Sequence, residues 1–216
     1  MIRNFILAGA ASAALAVPAM AQEVEISGNV ALTTDYVWRG ATQSMGDFAV
    51  QGGFDLAAGN FYAGTWASSV EYGDDASTEL DLYAGYAGAF ESGLSYDVGV
   101  IGYYFPDASG YDDVYEIYGG LGYAFPAGVE IGGYLWYDPD GENLWAEATA
   151  AYAFTDMFGV DASVGNYSFD EGEDYTAFSV GLGVATPVGL DLDLRLWDTD
   201  VDGDEERFVL TVSKSL

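Results

Sequence analysis

The sequence contains no cysteine and no histidine. Without cysteine the chain cannot be a disulfide scaffold. Without either residue it has no Ser-His or Cys-His nucleophile and none of the usual zinc or copper ligands. Carboxylates are abundant, and a glycosidase-type pair is formally available. With 35 Asp+Glu, however, accidental pairs are expected throughout, so the chain reads as a non-enzyme. Basic residues are scarce: five Lys+Arg leave a formal net charge of −30, which excludes nucleic acid, whose phosphates need a basic surface. After Val17 no apolar run approaches the ~20 residues that a membrane helix needs. If the chain crosses a bilayer, it must therefore do so as a closed β-barrel. Half the residues are nonetheless hydrophobic and 16% are aromatic, a composition far from disorder.

The N-terminus is an export signal by pattern. Arg3 precedes an apolar run from Phe5 to Val17 and a small-residue site, Ala19-Met20-Ala21. Cleavage is expected after Ala21, leaving one domain over 22–216. No cysteine follows the apolar run, so a lipoprotein anchor is not expected.

A period of two dominates what remains. From Val24 to Arg39 the even positions (Val24, Ile26, Val30, Leu32, Tyr36, Trp38) are largely apolar, and the odd ones (Glu25, Ser27, Asn29, Thr33, Asp35, Arg39) largely polar. This predicts one long strand with an apolar and a polar face. Similar segments recur to the C-terminus, twelve in all, ending with Phe208, Leu210, Val212 and Leu216; Lys214 interrupts that last register. In the third segment, Tyr62, Gly64 and Trp66 form the apolar series, with weak alternation. Short connections such as Ala57–Asn60, Glu91–Gly93 and Pro187–Gly189 alternate with longer ones near 39–47, 70–77, 105–113, 137–142, 167–175 and 197–206. That alternation puts all short turns at one end. It predicts an all-β, transmembrane up-and-down antiparallel barrel of about twelve strands, with both termini periplasmic and the long loops extracellular. Apolar-face aromatics gather near segment ends, with Tyr36, Trp38, Phe48, Tyr104 and Tyr137 by long loops and Phe90, Phe125, Phe154 and Phe158 by short turns. Two interfacial girdles are expected from them.

The stretches "SGNVALTTDYVWRGATQSMGDFAVQGGFDL", "GNFYAGTWASSVEY", "ELDLYAGYAG" and "GLSYDVGVIGYYFP" resemble the TorF family, proteobacterial proteins classed as porins by inference and also grouped as a domain of unknown function. The run Asp35-Tyr36-x-x-Arg39-Gly40 and the segment Gln51-Gly52-Gly53 carry most of the resemblance, which is close over residues 26–120 and looser beyond. It implies an outer-membrane channel and supplies neither a substrate nor catalytic residues.

With the apolar faces toward lipid, the lumen is expected to receive Asp35, Asp55, Glu79, Asp81, Asp97 and Glu116 from the first half of the chain. From the second half it receives Glu130, Glu147, Asp191 and Asp193. Arg39 and Arg195 point the same way. Such a wall concentrates cations and repels anions, so cation preference is expected of any pore. Two readings of Arg39 stay open: a constriction cation or anchor that folds the first loop inward, and a charge partner for Asp35 or a neighbouring strand's acid. The expected partners are outer-membrane lipid and lipopolysaccharide, the barrel assembly machinery, and small solutes or ions. The alternative is a non-conducting barrel whose acidic loops bind ions or other surfaces. No cofactor is expected. The run Asp198–Glu206 contains D-x-D-x-D-G, the first half of an EF-hand loop. The twelfth position of that loop is Val209 rather than Glu and the flanks alternate as strands, so the run reads as the last extracellular loop. Asp198, Asp200, Asp202 and Asp204 around Gly203 are left there as weak Ca2+ or Mg2+ ligands.

Overall fold

The computed structural model describes residues 24–216 apart from Asp107, Gly110 and Asp112; the expected cleavage at Ala21 lies outside the described residues. Twelve strands close into one antiparallel barrel in which each pairs with its sequence neighbour. The wall begins with β1 (Val24–Thr33) and, after two short strands inside the first loop, continues with β4 (Ala49–Ala58), β5 (Phe61–Ser69), β6 (Thr78–Ala89), β7 (Leu94–Tyr104) and β8 (Val114–Ala124). It is completed by β9 (Val129–Asp138), β10 (Asn143–Ala153), β11 (Phe158–Ser168), β12 (Tyr175–Ala185), β13 (Asp191–Thr199) and β14 (Arg207–Ser215). Closure is made by β14 against β1, with Asn29 opposite Ser215 and Thr33 opposite Thr211. Closing the sheet removes its edges, the condition for any β-structure in lipid.

The outer face follows the period of two. Ile26 is 75% exposed, Phe48 68% and Phe208 71%. Val50, Phe54, Leu82, Val98, Val100, Ile117, Leu121, Ile131 and Leu135 are likewise exposed. An apolar belt of this extent has no counterpart on a soluble monomer, whose apolar patches are small. Near the short turns, Phe61, Phe90, Phe125, Phe154 and Phe158 are exposed, which supplies one of the two expected girdles.

Two expectations about facing are overturned. The first wall strand ends at Thr33, not near Arg39. Tyr36 is buried and Trp38 half-buried, so neither belongs to the outer girdle; both belong to a hairpin that turns into the barrel and carries on the alternation there. In the third segment the faces are reversed. Tyr62 and Trp66 point into the lumen, where Tyr62 hydrogen-bonds Asp97 and Trp66 meets Tyr36 edge-on. The outer face of β5 consists of Phe61, Ala63, Thr65 and Ala67, whose small residues made its alternation hard to read.

Candidate functional site

The lumen is the candidate site, and its long-loop end is filled by the chain itself. After Thr33 the backbone leaves the wall and forms a miniature hairpin, β2 (Val37–Trp38) and β3 (Ala41–Thr42). Trp38 pairs with Ala41, so the turn is Arg39-Gly40 alone. Both turn residues lie at positive φ, 50° and 87°, as a two-residue type I′ turn requires. Glycine adopts this conformation freely; arginine does so only when held. Gly40 also fits tightly, since a Cβ there would lie 2.6 Å from Thr199 Cγ2 and 2.8 Å from Ala177 Cβ.

The base of the hairpin is fixed by Asp35. Its Oδ1 accepts hydrogen bonds from Thr42 Oγ1 (2.6 Å) and Ser44 Oγ (2.9 Å). Ser44 Oγ in turn accepts one from the Tyr36 backbone N–H at 2.9 Å. One flank of the hairpin packs Tyr36 with Ala49, Val70 and Ala76. The other packs Val37 against Trp197 and Val209. The second loop clasps it from above, with Tyr72 donating to Gln43 Oε1 at 2.8 Å.

At the tip, Arg39 reaches across the lumen to β8. Its Nη1 and Nη2 donate to Glu116 Oε1 and Oε2 at 2.7 and 2.8 Å, a bidentate fork. Tyr103 donates to the same carboxylate at 2.7 Å, and Tyr175 donates to the Arg39 carbonyl at 3.0 Å. Aromatic rings surround the guanidinium, with centroids at 4.1 Å (Trp38), 5.0 Å (Tyr167), 5.4 Å (Trp145) and 5.7 Å (Trp136). These are cation–π distances. Arg39 is 6% exposed and Glu116 2%. Burial by itself would weaken the hold of the guanidinium on its proton, but the hydrogen-bonded Glu116 carboxylate more than reverses this and raises its pKa. The Tyr36 phenol is pushed well above its ordinary value, first by burial and then by the charges of Glu79 and Asp81. Arg39 differs in position from the charge-partner reading of the sequence. It anchors the first loop inward, and it has an acidic partner, but that partner is neither Asp35 nor an acid on an adjacent strand.

Below the hairpin the wall carries carboxylates held by tyrosines. Asp97 accepts from Tyr62 (2.7 Å) and Tyr134 (3.2 Å), and the hydroxyls of Tyr62 and Tyr118 are 2.5 Å apart. Asp55 accepts from Tyr83. Glu79 accepts from Tyr36 at 3.2 Å, whereas the buried Oδ1 of Asp81 has no hydrogen-bond partner. The aromatic rings have room because glycines face them from the next strand. A Cβ at Gly120 would strike the Tyr134 ring and one at Gly165 the Trp145 ring. On the opposite wall Arg195 makes a fork to Asp161 (2.7 and 3.0 Å), reaches Asp193 and donates to Ser179 at 3.1 Å.

The sequence candidates thus separate into groups. Asp55, Glu79, Asp81, Asp97, Glu116 and Glu147 line the barrel interior on strands β4, β6, β7, β8 and β10, and Asp193 and Arg195 form part of a closed ion-pair cluster. Glu130 and Asp191 share the inward parity but are exposed at the short-turn mouth. Asp35 is structural and lies in the loop rather than on the wall. The tyrosines that hold these carboxylates were not singled out from sequence. The four loop aspartates are not gathered into a cage. Asp200 accepts from the Thr176 N–H, Asp198 from the Thr199 N–H, and Asp204 pairs with Arg207 at 2.6 Å. Among the described residues no group of three or more potential ligands is close enough to hold a metal ion.

A family model described as a bacterial protein of unknown function, Gcw_chp, matches residues 18–215. No curated protein matches the chain. Among solved structures, the KdgM porin superposes with a TM-score of 0.64 at 10% identity, covering 88% of this chain and 98% of that one. The NanC porin gives 0.58 at 10% identity with the same coverages. An outer membrane channel from Pseudomonas putida F1 gives 0.50 at 12% identity, covering 93% of this chain and 98% of the other. At these identities the likeness is one of fold.

Proposed function

The chain belongs to Gcw_chp, a bacterial family of unknown function, and we propose that it is an outer-membrane porin through which small solutes diffuse passively, with preference for cations. The observation that carries this is the imbalance left on the lumenal wall once every ion pair is made. Among the described residues, the ion-paired lumenal carboxylates of the strands are Glu116, Asp161 and Asp193. Asp55, Asp97 and Glu147 share that wall without a basic partner in any of these pairs, and Glu25, Glu130 and Asp191 add negative charge at the short-turn mouth. Inside a low-dielectric wall such a set raises the local concentration of cations and repels anions. The outward apolar belt, the N-terminal export pattern, the TorF resemblance and the porin-like fold support the membrane setting. Within it, the acidic long loops are suited to the divalent cations that bridge lipopolysaccharide phosphates. No step of the proposed mechanism is covalent. Reconstitution in a planar bilayer under a KCl gradient tests it: a reversal potential of the sign for K+ over Cl− is expected, and the opposite sign would refute the preference.

A second reading is a barrel that does not conduct. It is favoured by the inward hairpin, which buries Ala49, Arg39 and Glu116 at the long-loop end of the lumen. Absence of any conductance above bare lipid, from barrels shown to be folded, would select it.

A further inference from the structure

The interactions that hold Arg39 are those by which a protein recognises a free organic cation. One carboxylate takes a planar guanidinium through two parallel hydrogen bonds, and aromatic faces enclose it on several sides. Cages of this kind select guanidinium over hydrated metal ions, because the ring faces replace its weakly held hydration shell. The occupant differs from an ordinary structural arginine in three ways. It stands at the tip of a two-residue turn, not on the wall. Its backbone is in the left-handed region, at a cost it bears only while the side chain is held. And it belongs to the segment that fills the lumen.

A second feature lies beside the cage. Glu79 and Asp81 are buried next to one another on β6, their described hydrogen-bond donor is the Tyr36 hydroxyl, and Asp81 Oδ1 has no partner. The hairpin therefore spans two acidic positions and supplies a cation to only one of them, Glu116.

Resting on the porin reading, which it deepens, we propose that Arg39 is a tethered stand-in for the solute. The Glu116 cage is a binding site for small organic cations bearing a guanidinium group. Such a solute competes with Arg39 for Glu116, its arrival releases the hairpin from the lumen, and Glu79 and Asp81 offer the next carboxylates along the path. The solute class is set by the cage: planar, positively charged and weakly enough hydrated to stack on Trp136 and Trp145.

The test uses guanidinium ion at low millimolar concentration as probe, with equal sodium as control, on the folded full-length barrel. In Arg39→Ala the cage is vacated, so guanidinium is expected to shift tryptophan emission and raise the melting temperature where sodium does neither. In the wild type the same response should need roughly tenfold or more higher concentration, because the tethered side chain competes. It should vanish in Arg39→Ala/Glu116→Gln. Emission and melting that treat guanidinium and sodium alike in folded Arg39→Ala would overturn the proposal. Should that variant not fold, the wild type decides: in a planar bilayer guanidinium must raise the time spent in the open state above its value in sodium, and equal open times would overturn it. If no form conducts while the emission response in Arg39→Ala is present, the porin reading fails and the cation cage stands.

Discussion

Gly40 offers a sharp test of whether the hairpin is seated as described. Substitution by alanine has two separable costs. The φ of +87° lies in the region that L-residues avoid, at about 1–2 kcal/mol. The new methyl would sit 2.6 Å from Thr199 Cγ2 and 2.8 Å from Ala177 Cβ, and overpacking of this kind costs about 1–3 kcal/mol. Gly40→Ala should therefore destabilise the seated hairpin by about 2–5 kcal/mol. Strain alone cannot be relieved from outside the turn, whereas the clash can. Thr199→Ser removes Cγ2 and keeps the hydroxyl that donates to Asp204 at 2.7 Å, and Ala177→Gly removes the other methyl. Neither change should matter much in the wild-type background. Together they should return the overpacking part of the loss in Gly40→Ala and leave the backbone part. Urea unfolding in detergent, followed by tryptophan emission, reads the whole cycle, since Trp38 moves with the hairpin. If Gly40→Ala is as stable as wild type, or if its loss is untouched by the two relieving changes, the hairpin does not rest on β12 and β13 and the occluded lumen is refuted.

Other consequences follow from the same geometry. Glu116→Gln keeps the shape of the acceptor but leaves the Arg39 guanidinium buried without its counter-charge, so the urea midpoint should fall by the equivalent of about 3–5 kcal/mol. Gly120→Leu places a side chain where the Tyr134 ring now lies; the ring must swing into the lumen, and single-channel conductance should drop while the sign of selectivity is kept. Tyr36 has its pKa raised above an ordinary value of 10.0, so its neutral form is the one the fold favours. The stability this contributes is complete below pH 10 and is lost as pH rises beyond it. Alkaline titration should show phenolate absorbance from this residue appearing together with loss of the folded signal, and ionisation of every tyrosine without any change in stability would contradict the burial described here.

The barrel was legible in the sequence because lipid imposes one demand on every strand, an apolar residue at each second position, and a turn wherever the demand lapses. The number of strands follows from counting the stretches in which that demand is met. What lay inside was less legible. Tyr36 and Trp38 satisfy the same period as Val24 to Leu32, yet their neighbour is the inner wall and not lipid; periodicity reports that a face is buried, never by what. On β5 the lipid side is Ala63, Thr65 and Ala67 while the lumen side carries Tyr62 and Trp66, so bulk alone pointed the wrong way. The pairing of Arg39 with Glu116 joins residues 77 apart across a cavity, a distance that no local pattern encodes. Local pattern offers Asp35 or a neighbouring strand's acid as the partner of Arg39, which is where two-dimensional reasoning about a sheet looks; closure into a cylinder brings the far wall within reach. The glycines opposite Tyr134 and Trp145 were visible as interruptions in the strands, and they make sense only once a ring is seen lying on each.

The resting place of the hairpin also bears on the order in which the molecule is made. Its residues are among the earliest of the barrel, but the surfaces that receive it are late: Glu116 on β8, Tyr175 and Ala177 on β12, Thr199 on β13, and Trp197 with Val209 across the final pair of strands. Until β12 and β13 arrive Gly40 has no floor, and the loop closures involved, such as Val37 against Val209, are among the longest in the barrel. The hairpin can therefore be fully seated only once β13 and β14 complete the circumference, so the earliest loop of the barrel is among the last parts of it to settle.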